Sequence, residues 1–125
     1  MTENELATII VDAAFRIHNS LGPGLLENVY QAALSYELKK RGLSVALERG
    51  IPAIYEDVNL DVGFRADIIV NNKVIIEIKS VEALSPVHSK ILLTYLRLAD
   101  MRLGLLINFN VALIKDGIRR VVNNL

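Results

Sequence analysis

The chain has 125 residues, with 14 basic and 14 acidic side chains in balance and no cysteine. Its length suits one domain, residues 1–125, with a substantial buried core, and the missing cysteine excludes disulfides and thiolate metal sites. No apolar run approaches the roughly 20 residues needed to cross a bilayer, and zero net charge does not advertise a nucleic-acid surface, although local clusters weigh more than the sum.

Thr2 and Glu5 form a capping box. Leu6, Ile9, Ile10, Ala13, Ala14 and Ile17 then recur at helical spacing, which predicts a first helix over about 4–20. Leu21-Gly22-Pro23-Gly24 breaks it. A second helix is expected from about Leu26 to Arg41, with Lys39, Lys40 and Arg41 suiting its C-terminal dipole and Gly42 ending it. Strand signals follow at Leu43–Leu47, Ile51–Tyr55, Asn59–Val70 (bent near Gly63) and Lys73–Val81. Ser85-Pro86 opens a third helix that runs to about Ala99. Leu103–Phe109 is a continuous apolar strand, and Asp116-Gly117 predicts a terminal hairpin between Val111–Lys115 and Ile118–Val122. The order α-α-β-β-β-β-α-β-β makes an α/β domain, a mixed sheet flanked by helices. The third helix joins two neighbouring strands as a right-handed crossover.

The apolar content of 52% and mean hydropathy of +0.36 are high for a small domain. Helix three carries Ile91, Leu92, Leu93, Leu96 and Leu98, more apolar faces than one sheet covers. A homodimer is therefore expected. The acidic, polar start Met1–Glu5 is unlike a secretory signal, so a cytoplasmic protein with no membrane partner is expected.

Three charged residues stand out because their surroundings are apolar. Asp67 lies in Ala66-Asp67-Ile68-Ile69-Val70, and Glu77 and Lys79 lie in Val74-Ile75-Ile76-Glu77-Ile78-Lys79. Burying such charges costs a great deal unless they have partners or a task. Successive strand side chains alternate faces. A two-residue turn at Asn71-Asn72 would oppose Asp67 to Ile76, whereas a three-residue loop Asn71-Asn72-Lys73 opposes Asp67 to Glu77. The odd loop puts Ala66, Ile68, Val70, Val74, Ile76 and Ile78 on one wholly apolar face, and Arg65, Asp67, Ile69, Ile75, Glu77 and Lys79 on the other. That segregation favours the odd loop, with asparagine supplying the left-handed backbone it needs.

Two facing carboxylates repel unless a cation or a proton sits between them. Magnesium takes carboxylate oxygens, polarises a phosphoryl oxygen and lowers the pKa of a bound water. Lys79 would then hold or deprotonate an attacking water, or stabilise the transition state, and the Ile78 carbonyl offers a further ligand. The spacing leaves a second reading open, a salt-bridged face on which Arg65 and Lys79 neutralise Asp67 and Glu77. Arg65 otherwise suits a phosphate. His88, in the first turn of helix three, suits a proton carrier, a phosphate contact or a cap. Tyr95, two turns on, projects to a similar side. Glu27 opens helix two, where a carboxylate is stabilised by the dipole.

The chain resembles the PD-(D/E)XK nuclease superfamily, and within it the small GxxExxY branch. The name-giving pattern is Gly24-Leu25-Leu26-Glu27-Asn28-Val29-Tyr30; further matches are Arg41-Gly42, Phe64-Arg65-Ala66-Asp67, Glu77-Ile78-Lys79, Pro86-Val87-His88 and Ile107-Asn108-Phe109. The resemblance spans nearly the whole chain. It implies a restriction-endonuclease-like core, a nucleic-acid substrate, and a magnesium site, which manganese can also fill, at Asp67, Glu77 and Lys79 with Glu27 as an additional acid. The branch commonly carries Gln-Leu-Leu-Asn-Tyr in helix three, and here Ile91 and Thr94 replace both amides of Ile91-Leu92-Leu93-Thr94-Tyr95. A non-catalytic domain on the same scaffold, binding nucleic acid or protein, is the alternative reading.

Overall fold

A computed structural model describes residues 1–125. α1 (Glu3–Leu21) and α2 (Glu27–Lys40) precede β1 (Val45–Tyr55), β2 (Val58–Val70) and β3 (Val74–Lys79). α3 (Pro86–Ala99) then leads to β4 (Leu103–Asn108), a 3-10 turn at Ile114–Gly117, and β5 (Ile118–Val122). The five strands form one sheet in the order β1-β2-β3-β4-β5. β3 and β4 run parallel and every other pair is antiparallel. This is the mixed sheet with flanking helices of a restriction-endonuclease-like α/β fold. No helix is long and apolar enough to cross a membrane.

The helices sort by face. α1 starts on the expected capping box, the Thr2 N–H donating to Glu5 Oε1 at 2.9 Å and the Glu5 N–H to Thr2 Oγ1 at 3.1 Å. Its stripe of Leu6, Ile10, Ala13, Ala14 and Ile17 packs with Tyr30, Leu34 and Leu38 of α2 onto Ile68, Val70, Val74, Ile76, Ile78 and Ile107. On the other face Leu92 and Leu96 of α3 cover Ile69, Ile75 and Leu106. Each fully buried Leu or Ile contributes about 1.5–3 kcal/mol, which lets β3 carry a carboxylate at its middle. Leu92 fits because β4 has no side chain beneath it. A Cβ on Gly104 would lie 2.8–3.0 Å from three Leu92 carbons. Gly104→Ala is expected to push α3 off the sheet and to cost about 1–3 kcal/mol, read as a lower midpoint in thermal denaturation. An unchanged midpoint would mean that Leu92 repacks freely.

The β2–β3 loop is the three-residue one. The register pairs Val70 with Val74 and Ile68 with Ile76. Both Asn71 and Asn72 take left-handed backbone, at φ 49° and 54°. Their side chains hold neighbours: Asn71 Oδ1 accepts from the Ser44 N–H at 2.8 Å, and Asn72 Oδ1 accepts from Arg49 at 2.8 Å.

The chain departs from expectation in three places. The signals at Leu43–Leu47 and Ile51–Tyr55 belong to one strand, β1, because Glu48 (φ 51°) absorbs the break between them. The bend expected near Gly63 does occur, where the β1–β2 register shifts between Pro52 and Ile54. The terminal hairpin does not form, since β5 pairs with β4 rather than with Val111–Lys115. Ile114 is buried in the core on the α1 side, and buried His18 donates through Nε2 to the Val111 carbonyl at 2.8 Å, so that segment is drawn inward. Gly117 permits the turn, because a Cβ there would lie 2.1 Å from the Asn108 carbonyl oxygen. Finally, α3 needs no second copy to cover it: Leu92 and Leu96 are buried, Leu93 and Leu98 pack against the same cluster, and of its expected apolar positions only Ile91 is exposed.

The charge run at the end of α2 is engaged within the fold. Arg41 pairs with Asp12 at 2.7 Å and with Glu37 at 2.9 Å. These bonds hold Glu37 below the usual carboxylate range and raise Arg41.

Candidate active site

The β2–β3 ladder stops at Ile68–Ile76, and Asp67 stands where it opens. The Ile78 N–H, which a continued ladder would give to a β2 carbonyl, instead donates to Asp67 Oδ2 at 2.9 Å. The Asp67 N–H points to Glu77 Oε1 at 3.4 Å. The Asp67 carbonyl accepts from Gln31 Nε2 of α2 at 2.9 Å, and the same nitrogen donates to Glu48 Oε1 at 3.0 Å. Asp67 is therefore fastened at its amide, its carbonyl and its carboxylate, each time by a partner outside the regular ladder.

Glu77 is 8% exposed. Burial, and then the charge of Asp67, push its carboxyl up to about 9, while Lys79 pulls weakly the other way. Without a cation the pair therefore holds a proton at neutral pH. No basic side chain lies within ion-pair distance of either acid: the salt bridges are those of Arg16, Arg41, Asp12 and Glu37. The salt-bridged face is thus absent.

Beside Glu77 a small cavity of about 30 Å³ is lined by Lys79, His88, Ile91, Leu92, Tyr95 and Leu106. It has room for a water molecule, not for a nucleotide, so a polymer would approach from outside. The His88 Nδ1 accepts the Ser85 N–H at 3.0 Å, closing the start of α3. In that role the ring carries its proton on Nε2. Tyr95 stacks on Phe64, centroids 3.7 Å apart and planes 4° from parallel. Burial, then the charges of Glu77 and Asp67, raise its hydroxyl pKa.

Asp67, Glu77, Lys79, His88 and Tyr95 thus converge, and Ile78 joins them through its N–H. Arg65 and Glu27 do not. Arg65 is exposed and lines a groove along the outer hairpin with Gly50, Ile51, Pro52 and Gly63. The cause is a slip in face. Ala46 and Ile51 of β1 share one cluster, as do Ala66 and Ile69 of β2. Residues an odd number apart share a face only if alternation breaks between them. The break falls at Glu48 and Asp67, so Ala66 packs on the α3 side rather than with Ile68 and Val70. Glu27 is exposed in the first turn of α2, and no group of three or more acidic or histidine side chains gathers to bind a metal.

The residue of α2 that reaches Asp67 is Gln31, one turn after Glu27. Its only sequence signal is a polar side chain beside the inward positions Tyr30 and Leu34. Phe64 was legible only as a motif neighbour of Asp67. Tyr30 is structural. Its ring stacks on Phe109 with centroids 4.4 Å apart. Its hydroxyl donates to the Gly22 carbonyl at 2.6 Å and accepts the Leu25 N–H at 3.1 Å. Ser80, just past Lys79, donates to the Leu25 carbonyl at 2.7 Å.

A profile of the PD-(D/E)XK nuclease superfamily matches residues 4–121. The chain belongs to the PD-(D/E)XK nuclease superfamily. Divalent metals are the general cofactors of these nucleases, and the superfamily points to nucleic acid as the partner. No curated protein and no solved structure matches the chain.

Proposed function

We propose that this PD-(D/E)XK protein, of the GxxExxY branch by its Gly24–Tyr30 pattern, is a magnesium-dependent nuclease that hydrolyses phosphodiester bonds. The observation that carries this is the Asp67–Glu77 pair: two hard oxygen donors, one desolvated and pushed up by the other, with no basic side chain paired to them. Such a donor set fits magnesium or manganese. Asp67 and Glu77 would hold the ion, with the Ile78 carbonyl as a further donor we assign; Glu27, exposed in the first turn of α2, would add a donor only if substrate drew it inward. A bound divalent ion supplies charge neutralisation at the phosphoryl group and lowers the pKa of a bound water. Lys79 lines the same cavity, and its ammonium would orient the attacking water and offset charge on the phosphoryl oxygens. His88, fixed by Ser85, presents Nε2–H to a phosphate oxygen, and Tyr95, fixed by Phe64, offers a second donor. Arg65 meets the polymer further out, along the hairpin groove.

Calorimetric titration with manganese tests this reading. Wild type is expected to bind, and Asp67→Asn to lose binding with its fold intact. Failure of wild type to bind would favour the second reading, a non-catalytic domain. One observation supports that rival: Ile91 lines the cavity with an apolar side chain, and Thr94 Oγ1 turns back to the Lys90 carbonyl at 3.1 Å, so neither supplies a donor in place of the branch's amides. We also propose a homodimer, seated on the outer hairpin rather than on α3, since Ile54, Tyr55, Val58 and Val62 are more than half exposed there. Sedimentation showing only monomer at micromolar concentration would remove it.

A further inference from the structure

We infer that Gln31 is a positioning residue that keeps the β2–β3 ladder open at Asp67 and so sets where its carboxylate points. The inference rests on the nuclease reading for its purpose and on the hydrogen bonds alone for its geometry.

Two features of the opening have to be explained. The ladder ends one pair short of Asp67–Glu77 although both strands continue, β2 toward Val58 and β3 to Lys79. The Ile78 N–H is also satisfied by the Asp67 side chain instead of by backbone. The Asp67 carbonyl also needs a donor, because a partly buried carbonyl without one is costly. β1 offers none, since its opposite residue, Glu48, sits in left-handed backbone and skips the pairing. Gln31 fills the gap. One amide hydrogen serves the Asp67 carbonyl at 2.9 Å and the other serves Glu48 Oε1 at 3.0 Å. A primary amide has two hydrogens on one nitrogen, so this single group bridges β1 and β2 at the point where both strands change face.

The position of Gln31 suits the task. It lies one helical turn after Glu27 and next to Tyr30, which is fully buried and stacked on Phe109, so its backbone is held while its side chain reaches out of the core. Glutamate there would lack both donors and would face Glu48. Leucine or methionine would fill the space and supply no hydrogen.

The test pairs two variants. Gln31→Met keeps the volume and removes both donors. Glu48→Gln keeps the bond to the Asp67 carbonyl and removes only the charge on the other side. Amide hydrogen exchange, followed by NMR on the metal-free protein, reads the Ile78 N–H. We expect at least tenfold faster exchange of Ile78 in Gln31→Met, no change at Ile76, and wild-type exchange in Glu48→Gln. Manganese affinity is expected to fall about tenfold or more in Gln31→Met only, as for other partners that orient a ligating group. Unchanged Ile78 exchange in Gln31→Met overturns the inference. Equal speeding of Ile76 and Ile78 also overturns it, because Gln31 would then serve the strand's stability alone. Wild type that binds no manganese while Ile78 still responds leaves the positioning role standing and removes the nuclease reading. If Gln31→Met does not fold, Gln31→Asn withdraws the amide by one methylene and is read in the same way.

Discussion

Lys79→Ala should abolish metal-dependent cleavage, lowering the rate by about 10²–10⁴-fold, without unfolding the protein. Lys79 is half-buried at the end of β3 and makes no salt bridge, so its stem can be removed at small structural cost. The variant should keep its thermal midpoint within a few degrees. It should also bind manganese at least as tightly as wild type, because a positive charge beside the Asp67–Glu77 pair is gone. That combination, binding kept and turnover lost, separates a group acting on water or phosphate from one that builds the site. A plasmid or single-stranded oligonucleotide cleavage assay in magnesium, with chelator as control, reads it. Wild-type rates in the variant would take Lys79 out of the mechanism.

The second large effect is on stability, and it changes sign with metal. Glu77 has an ordinary value of 4.5 and is pushed up to about 9 in the folded chain. Below 4.5 the carboxyl is protonated both folded and unfolded. Between the two values the folded state holds a proton that the unfolded state has released, so folding stability declines as pH rises through this window. Glu77→Gln cannot lose that proton. In chelator at pH 8 the variant should therefore melt several degrees above wild type, and its midpoint should depend less on pH. Excess manganese should reverse the order, since only wild type gains stability from a ligand that binds the folded state. Differential scanning fluorimetry with and without metal reads both arms. Parallel pH profiles for the two proteins in chelator would show that Glu77 is not held neutral by its surroundings.

Much of this site was legible in the sequence because charge segregation is a strong constraint. Only an odd loop after Val70 puts Asp67 across from Glu77 and leaves the opposite face apolar, and Asn71-Asn72 supplied left-handed backbone at both positions. The same argument failed one residue earlier. Strict alternation placed Ala66 with Ile68 and Arg65 with Asp67, but Glu48 and Asp67 each interrupt their strand, and everything beyond turns over. Periodicity cannot reveal a break that two neighbouring strands share, because their mutual register survives it. Gln31 was hidden for a related reason. Its partner is a backbone carbonyl that needs a side-chain donor only because Glu48 skips the pairing. The terminal hairpin was misread because Asp-Gly is a good turn in isolation, whereas burial of Ile114 and the His18 bond to Val111 outweigh it.

Tyr30 and Ser80 carry a mechanical consequence. Between them they hitch the Gly22–Leu25 segment to the strand end just beyond Lys79. The helix that begins at Glu27 and the strand that presents Lys79 are thereby hinged to a common brace. A displacement of Glu27 would therefore load the Leu25–Ser80 bond and reach the strand that carries Lys79.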